Sequence, residues 1–502
     1  MSFTSDNLPV PTVQVLDRTK LIRVKGIVPV VNQEGDKDHN PREPIFVWYQ
    51  DTPEGKEINI ALYTKPCSWG RCSFCTLPSQ SSPVGVRTAD ILAQTQSAFD
   101  RFTPEQLAPV RRVFLSNNGS VLDKDTLPLI NLRAAIRMAH ERCPNLQIIC
   151  LETRFDSVGP TDIEPLHAFL LDCHQSEGRL APLPVALQFS GGYETQDPYL
   201  RNAVLFKGYA EEKVQEFFAL CSDAVKKTEY PILLDEYVML KPAAGMTDEE
   251  AVAEAVETIL HLDRLGKHFN IPVSIRLNPA FAAIGSELHK QFVTNSYTPP
   301  TLRAVCQVIE QVRKQDCQTP IFVGLNNEGL VATDAACFGN WDSTDTAYKK
   351  ALQEWNLHQS YPVLHTAVGL IEEVTKPKVC RYCLNEDCTV SEELETSAPV
   401  ADLFKCLRAT FARALAAEGK LDGAAEEKLA WIKDMCESVH EATIHPPPKI
   451  NRDLRQTGLD IMARHVLGII KTKQTRKEAF IESADFKAQQ AMAEAREKLM
   501  WK

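Results

Sequence analysis

The sequence predicts an α/β protein whose core is a partial (βα)6-type barrel, flanked by an N-terminal arm and a C-terminal, cysteine-containing, mainly helical extension. Three observations carry that prediction. From Ile58 to Leu325 short β-rich runs alternate with longer segments of helical period, the pattern of βα units on a parallel sheet. No Gly-x-Gly-x-x-Gly follows the first strand and no Gly-x-x-x-x-Gly-Lys-[Ser/Thr] occurs, so dinucleotide-binding and P-loop folds lack their fingerprints. A chain of 502 residues, 44% hydrophobic and 24% charged, has an ordinary globular composition and is long enough for a large core.

In chain order, residues 1–56 are rich in proline and polar runs such as Asp36-Lys37-Asp38-His39-Asn40, and read as an arm with one or two short strands. The core, 57–340, offers strands at 58–64, 112–116, 146–152, 184–189, 231–240, 272–277 and 321–325. Between them, helical patterns cover 88–102, 126–142, 161–173, 210–227, 247–268 and 299–315. The clearest is the fifth: Thr247 with Glu250 forms a capping box, and Val252, Val256, Ile259 and Leu260 fall on one face. Beyond Asp342 the β pattern fades, and 341–502 reads as an extension carrying a second cysteine group and helices interrupted by His445-Pro446-Pro447-Pro448. In a barrel of this kind the loops after the strands converge on one mouth, which is where chemistry is expected.

Lys and Arg number 55 against 66 Asp and Glu, a net charge of −11, which argues against extensive unaided binding to a phosphate backbone. No apolar run reaches the ~18 residues of a membrane span, and the N-terminus has no basic region leading into an apolar core. The expectation is a cytoplasmic protein with no membrane partner, whose 15 cysteines form no disulfide framework. Nine of these sit singly, many in apolar surroundings such as Ile148-Ile149-Cys150-Leu151, and read as small buried hydrophobes. The remaining six form two groups.

The first group, Cys67, Cys72 and Cys75, lies on the loop leaving the first core strand, in Thr64-Lys65-Pro66-Cys67-Ser68-Trp69-Gly70-Arg71-Cys72-Ser73-Phe74-Cys75. Three thiolates in nine residues can bind three irons of a [4Fe-4S] cubane and leave the fourth open. The alternative is a structural zinc knuckle, but a closed zinc site takes four ligands and no nearby His or Cys supplies the fourth. The second group, Cys380, Cys383 and Cys388, has the mirror spacing. It reads as an auxiliary iron–sulfur cluster, as a zinc site completed by His365 or Cys337, or as a trap for a thiophilic substrate such as trivalent arsenic.

The first cysteine loop, with an aromatic residue (Phe74) before its last cysteine, resembles the radical-SAM superfamily, although that superfamily most often has three residues between its first two cysteines where this chain has four. Further phrases resemble the Elongator-catalytic-subunit-like branch, and more closely the radical-SAM subunit of archaeosine synthase. They are Leu115-Ser116-Asn117-Asn118-Gly119-Ser120-Val121-Leu122-Asp123, Leu151-Glu152-Thr153-Arg154, Gly191-Gly192-Tyr193-Glu194-Thr195, Lys207-Gly208, Tyr237-Val238-Met239-Leu240-Lys241-Pro242 and Leu277-Asn278-Pro279, all in the same order. The match then lapses, since the relatives carry a Cys-x-x-Cys-Asp-like segment where this chain has only Cys337.

The resemblance implies a [4Fe-4S] cluster on Cys67, Cys72 and Cys75. It implies S-adenosylmethionine (SAM) held near Phe74, Asn118, Gly119, Ser120, Glu152 and Arg154, and substrate or catalytic contacts from Glu194, Lys241 and Asn278. It also implies an electron donor such as flavodoxin or ferredoxin. The expected function is reductive cleavage of SAM to generate a radical that modifies a small-molecule or carrier-held substrate of specialised metabolism. A tRNA-modifying enzyme, SAM-derived transfer to a thiophilic centre, and a non-enzymatic zinc-binding adaptor are the alternatives.

Overall fold

A computed structural model describes residues 9, 35–52, 55–176, 185–228, 231–325, 333–335 and 343–375. The chain divides into two compact units, Met1–Asn340 with Leu352–Gln359 and Trp341–Ala351 with Ser360–Lys502. Cys337, Cys380, Cys383 and Cys388, and with them the second cysteine group, lie outside the described residues.

The elements are β1 (Phe46–Thr52), β2 (Gly55–Ala61), α1 (Thr88–Asp100), α2 (Pro104–Leu107), β3 (Val110–Ser116), α3 (Leu129–Arg142), β4 (Ile148–Thr153), α4 (Ile163–Ser176), β5 (Ala186–Glu194), α5 (Glu211–Thr228), β6 (Ile232–Leu240), α6 (Asp248–Phe269), β7 (Val273–Pro279), β8 (Ala282–Ala283), α7 (Glu287–Val293), α8 (Leu302–Lys314), β9 (Ile321–Val323), β10 (Thr333–Ala335), α9 (Ser343–His358) and α10 (Tyr361–Thr375). One eight-stranded sheet runs β1-β2-β3-β4-β5-β6-β7-β9, and β8 pairs with β10 apart from it. All pairs from β2 to β9 within this sheet are parallel, and only β1 is antiparallel, forming a hairpin with β2. Strands in sequence order with a helix after each are the expected partial barrel.

Alternation of side chains builds two opposed faces. One row, Ile58, Ile60, Val113, Leu115, Ile149, Leu151, Leu187, Phe189, Leu234, Ile275 and Leu277, is fully buried. Its members pack beneath the helices, as Phe189 does against Phe217 of α5 with ring centroids 5.5 Å apart. Each such side chain contributes roughly 1.5–3 kcal/mol by leaving water. The alternate row carries Glu57, Arg112, Gln188, Asp235, Ser274 and Arg276, with apolar residues such as Phe114 and Cys150 among them.

Arg112 on β3 reaches Asp235 on β6 at 3.1 Å, although β4 and β5 lie between them in the sheet. Such a contact requires the sheet to curl so that the face carrying them closes on itself. Arg112 also donates to Gln188 at 2.8 Å and pairs with Glu57, while Arg276 meets Asp235 at 2.7 Å and Ser274 donates to it at 2.7 Å. These charges are buried but mutually paired, the condition for keeping ions out of water. They sit toward the N-terminal ends of their strands and fill that end of the barrel, leaving the opposite end to the loops.

The open edge at β9 is covered by side chains from the end of α9 and the residue after it. Asn356 accepts from Val323 N at 2.7 Å and donates to Val323 O at 2.8 Å, and Gln359 brackets Ile321 in the same way at 2.9 Å for both bonds. Side-chain amides thus take the place of a further strand. The six principal helices fall within three residues of their sequence-predicted bounds. Thr247 and Glu250 form the expected capping box on α6, and Asn270 closes that helix in the left-handed region at φ 53°.

Candidate active site

Chain leaving β2 forms the cysteine loop at the C-terminal mouth of the barrel. It is anchored chiefly by a segment far away in sequence, which follows a single π-helical turn at Leu200–Val204. Ser73 donates from its backbone to Leu205 O at 3.0 Å and from its hydroxyl to Val204 O at 2.9 Å. Trp69 donates its indole N–H to Phe206 O at 2.6 Å, and Gly208, at φ 76°, lies flat against the indole. Any Cβ at Gly208 would fall 2.0 Å from Trp69 Cζ2. Phe74 packs on an apolar cluster of Leu205, Met239, Ala244, Ala280, Leu288 and Tyr297.

Cys67, Cys72 and Cys75 are free, half-buried thiols. Burial pushes the Cys75 thiol up, and nearby Cys72 adds to the effect. At Cys72 burial also raises the thiol, opposed by the cations of Lys207 and Arg154. Among the described residues no three His, Cys, Asp or Glu side chains are placed to ligate one metal ion.

Loops after β3 and β4 bring most of the other expected residues to these thiols. Gly119 touches Cys67 so closely that a Cβ there would lie 2.9 Å from the cysteine Cβ. Asn118, held at φ 59°, donates to Leu77 O at 3.3 Å, just past Cys75. Ser120 hydrogen-bonds Thr153 at 2.8 Å and accepts from the Arg154 backbone at 3.3 Å, tying the two loops together.

Arg154 is buried, with Nη1 3.9 Å from Cys72 Sγ. Its fork holds Asp156 through bonds of 2.9 and 2.8 Å, and Nη2 donates to Lys207 O at 2.7 Å. Glu152 is half-buried on β4, and its charge, after burial, helps to raise the Tyr237 hydroxyl.

The three residues expected to contact substrate stand at or just past the C-terminal ends of the adjacent strands β5, β6 and β7, each with its own local contacts. Glu194, at φ 66° beside an irregularity in the β5–β6 register, is buried and binds the Lys207 ammonium at 3.0 Å. Lys241 is committed to Asp248 at 2.8 Å and Thr298 at 3.3 Å, where Asp248 also accepts from the Thr301 backbone and hydroxyl. Asn278 stands half-buried near the end of β7, its side-chain oxygen against Gly324. An open pocket of about 380 Å³ beside Cys67 is lined by Trp69, Asp123, Lys124, Arg154 and Asp156 among others.

Lys207 and Trp69 belong to the site although neither was singled out as a functional residue. Lys207 carries a sequence signal only as the Lys-Gly phrase, because it meets the cysteine loop across more than a hundred residues of intervening chain.

No protein-family profile matches the chain. It is 23% identical over 347 residues to an uncharacterised protein of Methanocaldococcus jannaschii, a match covering 66% of this chain and 84% of that protein. Among solved structures, the Elp3 of the archaeon Methanocaldococcus infernus lacking its N-terminal residues 1–46 aligns with a TM-score of 0.36 and 12% identity. That alignment covers 53% of this chain and spans 60% of that structure.

Proposed function

We propose that the chain is a radical-SAM enzyme that acts on a small-molecule or carrier-held substrate. One observation carries the reading: the ends of β2, β3 and β4 meet at three thiols, with Gly119 against Cys67 and Arg154 against Cys72. The residues suit a [4Fe-4S] cluster. Three soft sulfurs come from one loop, a glycine leaves the space beside Cys67 clear, and two buried cations face the negative charge that thiolates would bring. A cubane takes each thiolate on a different iron, so it does not require three ligands to converge on one ion, as zinc does.

When bound, such a cluster supplies one electron to cleave SAM and release a 5′-deoxyadenosyl radical; the protein's part is binding, orientation and exclusion of water. Cys67, Cys72 and Cys75 would hold the cluster. Asn118, Gly119 and Ser120 would present backbone to the methionyl part of SAM, and Glu152 would face its ribose or ammonium. The electron would come from a flavodoxin or ferredoxin. Modified tRNA is the second reading, supported by the sequence phrases shared with archaeosine synthase.

The test is anaerobic reconstitution with iron and sulfide, followed by assay for 5′-deoxyadenosine from SAM with a strong reductant. Replacement of any one of Cys67, Cys72 or Cys75 by Ala is expected to abolish cleavage and leave the far-ultraviolet circular dichroism unchanged. A chain that binds only zinc and releases no 5′-deoxyadenosine would defeat the enzyme reading.

A further inference from the structure

Two buried cations stand at the cysteine loop, Arg154 against Cys72 and Lys207 over Phe74. Arg154 arrives from the end of β4, 7% exposed, with Nη1 3.9 Å from the sulfur. Lys207 arrives from the segment after β5, 5% exposed, its ammonium 5.8 Å from the centre of the Phe74 ring and 5.9 Å from that of Tyr209. Each has one acid partner: Asp156 for Arg154, Glu194 for Lys207. The Lys207 carbonyl accepts from Arg154 at 2.7 Å, so the guanidinium is tied to the backbone that carries Lys207.

Both cations are largely out of water, so their charges act on a neighbouring group with little screening. Resting on the reading above, we propose that Arg154 and Lys207 are positioning residues that raise the reduction potential of the iron–sulfur cluster through its Cys72 ligand. Reduction adds one electron from the external donor and one negative charge to the cluster, and fixed cations beside a ligand stabilise the more negative state. Glu194 works in the opposite sense and sets how much of the Lys207 charge the cluster feels.

The experiment uses the full-length chain with its cluster reconstituted, in redox titrations followed by electron paramagnetic resonance. At a fixed poise near the wild-type midpoint, Arg154→Gln is expected to lower the reduced-to-oxidised ratio at least tenfold, about 59 mV for one electron. Arg154→Lys, which keeps the charge and loses the fork, is expected to stay within about threefold, roughly 30 mV. Lys207→Met is expected to lower the ratio and Glu194→Gln to raise it, with the double variant returning toward wild type. Should Arg154→Gln fail to take up a cluster, the opposed pair at Lys207 and Glu194 decides. Equal shifts in Arg154→Gln and Arg154→Lys, or shifts of the same sign at Lys207 and Glu194, would overturn the proposal. A wild-type chain without a four-iron signal would remove the cluster reading itself, which is a separate result.

Discussion

A single hydrogen in place of a methyl group decides whether the cysteine loop can lie where it does. Gly208 needs both its left-handed backbone and an empty space, because Trp69 occupies the position of any Cβ. Gly208→Ala combines an unfavourable φ with a clash that only displacement of the indole relieves, so a loss of roughly 1–3 kcal/mol is expected, read from the denaturant midpoint. Trp69 fluorescence should shift in the same variant as its bond to Phe206 breaks.

Glu254 gives the residue scale a pH dependence. It is buried on α6, accepts hydrogen bonds from Thr195 and Thr258, and has its second oxygen unpartnered among the described residues. Burial pushes its carboxyl up to about 7, with nearby Asp197 adding to the rise against the two hydroxyl bonds. Between the ordinary carboxylate range and about 7 the folded chain holds this proton and the unfolded chain has released it, so stability falls as pH rises through that window. The size is on the order of 3 kcal/mol at most. Glu254→Gln keeps an oxygen for both hydroxyls and removes the titration. It is expected to be more stable than wild type at about pH 8 and nearly equal at about pH 4, by denaturant melts at each pH.

Among elements, α6 shows how the end of β6 and its Lys241 are held. Asp248 opens the helix, binds Lys241 from the end of β6, and receives two bonds from Thr301 at the start of α8, so a single carboxylate fastens two helices to a strand end. Its position in the first turn also favours negative charge. Asp248→Ala is expected to cost roughly 2–3 kcal/mol, measured by thermal or urea melts, leaving Lys241 with only Thr298 among the partners seen here.

The six principal helices were legible because their caps and apolar periods are local, and β3 to β7 because β-rich runs separate those helices. β1 was harder to read: Phe46–Thr52 becomes a strand by pairing with β2, and its partly exposed side chains carry no strong alternation. Helix α7 and the β8–β10 pair are too short for periodicity to register. At the site, the cysteines, Gly119 and Arg154 were readable from their place after successive strands. The Lys207–Glu194 pair and the Trp69–Gly208 contact were not, because they are made by chain segments that meet only once the barrel has curled.

At the scale of the whole molecule, charge bears on the substrate. The chain carries −11, and Asp123, Asp125 and Asp156 line the pocket beside Cys67 against Lys124 and Arg154. Of the cations near that mouth, Arg154, forked onto Asp156, and Lys207, paired with Glu194, are both buried and so are not presented to a phosphate backbone. A polynucleotide that made even six phosphate contacts would lose about a thousandfold or more in affinity between 50 and 200 mM salt, and those contacts would need a basic face. No helix among the described residues is long and apolar enough to cross a membrane. We therefore expect the purified chain to bind unfractionated tRNA only weakly, in the range of non-specific association, by filter binding or anisotropy at physiological salt. Tight binding with a steep salt dependence would instead favour the tRNA reading. The Cys380→Ala/Cys383→Ala/Cys388→Ala variant supplies the complementary result on the same preparation. If that group serves the substrate, the variant still cleaves SAM without coupling and yields no product, whereas unchanged metal content and turnover would leave the group without a part in the reaction.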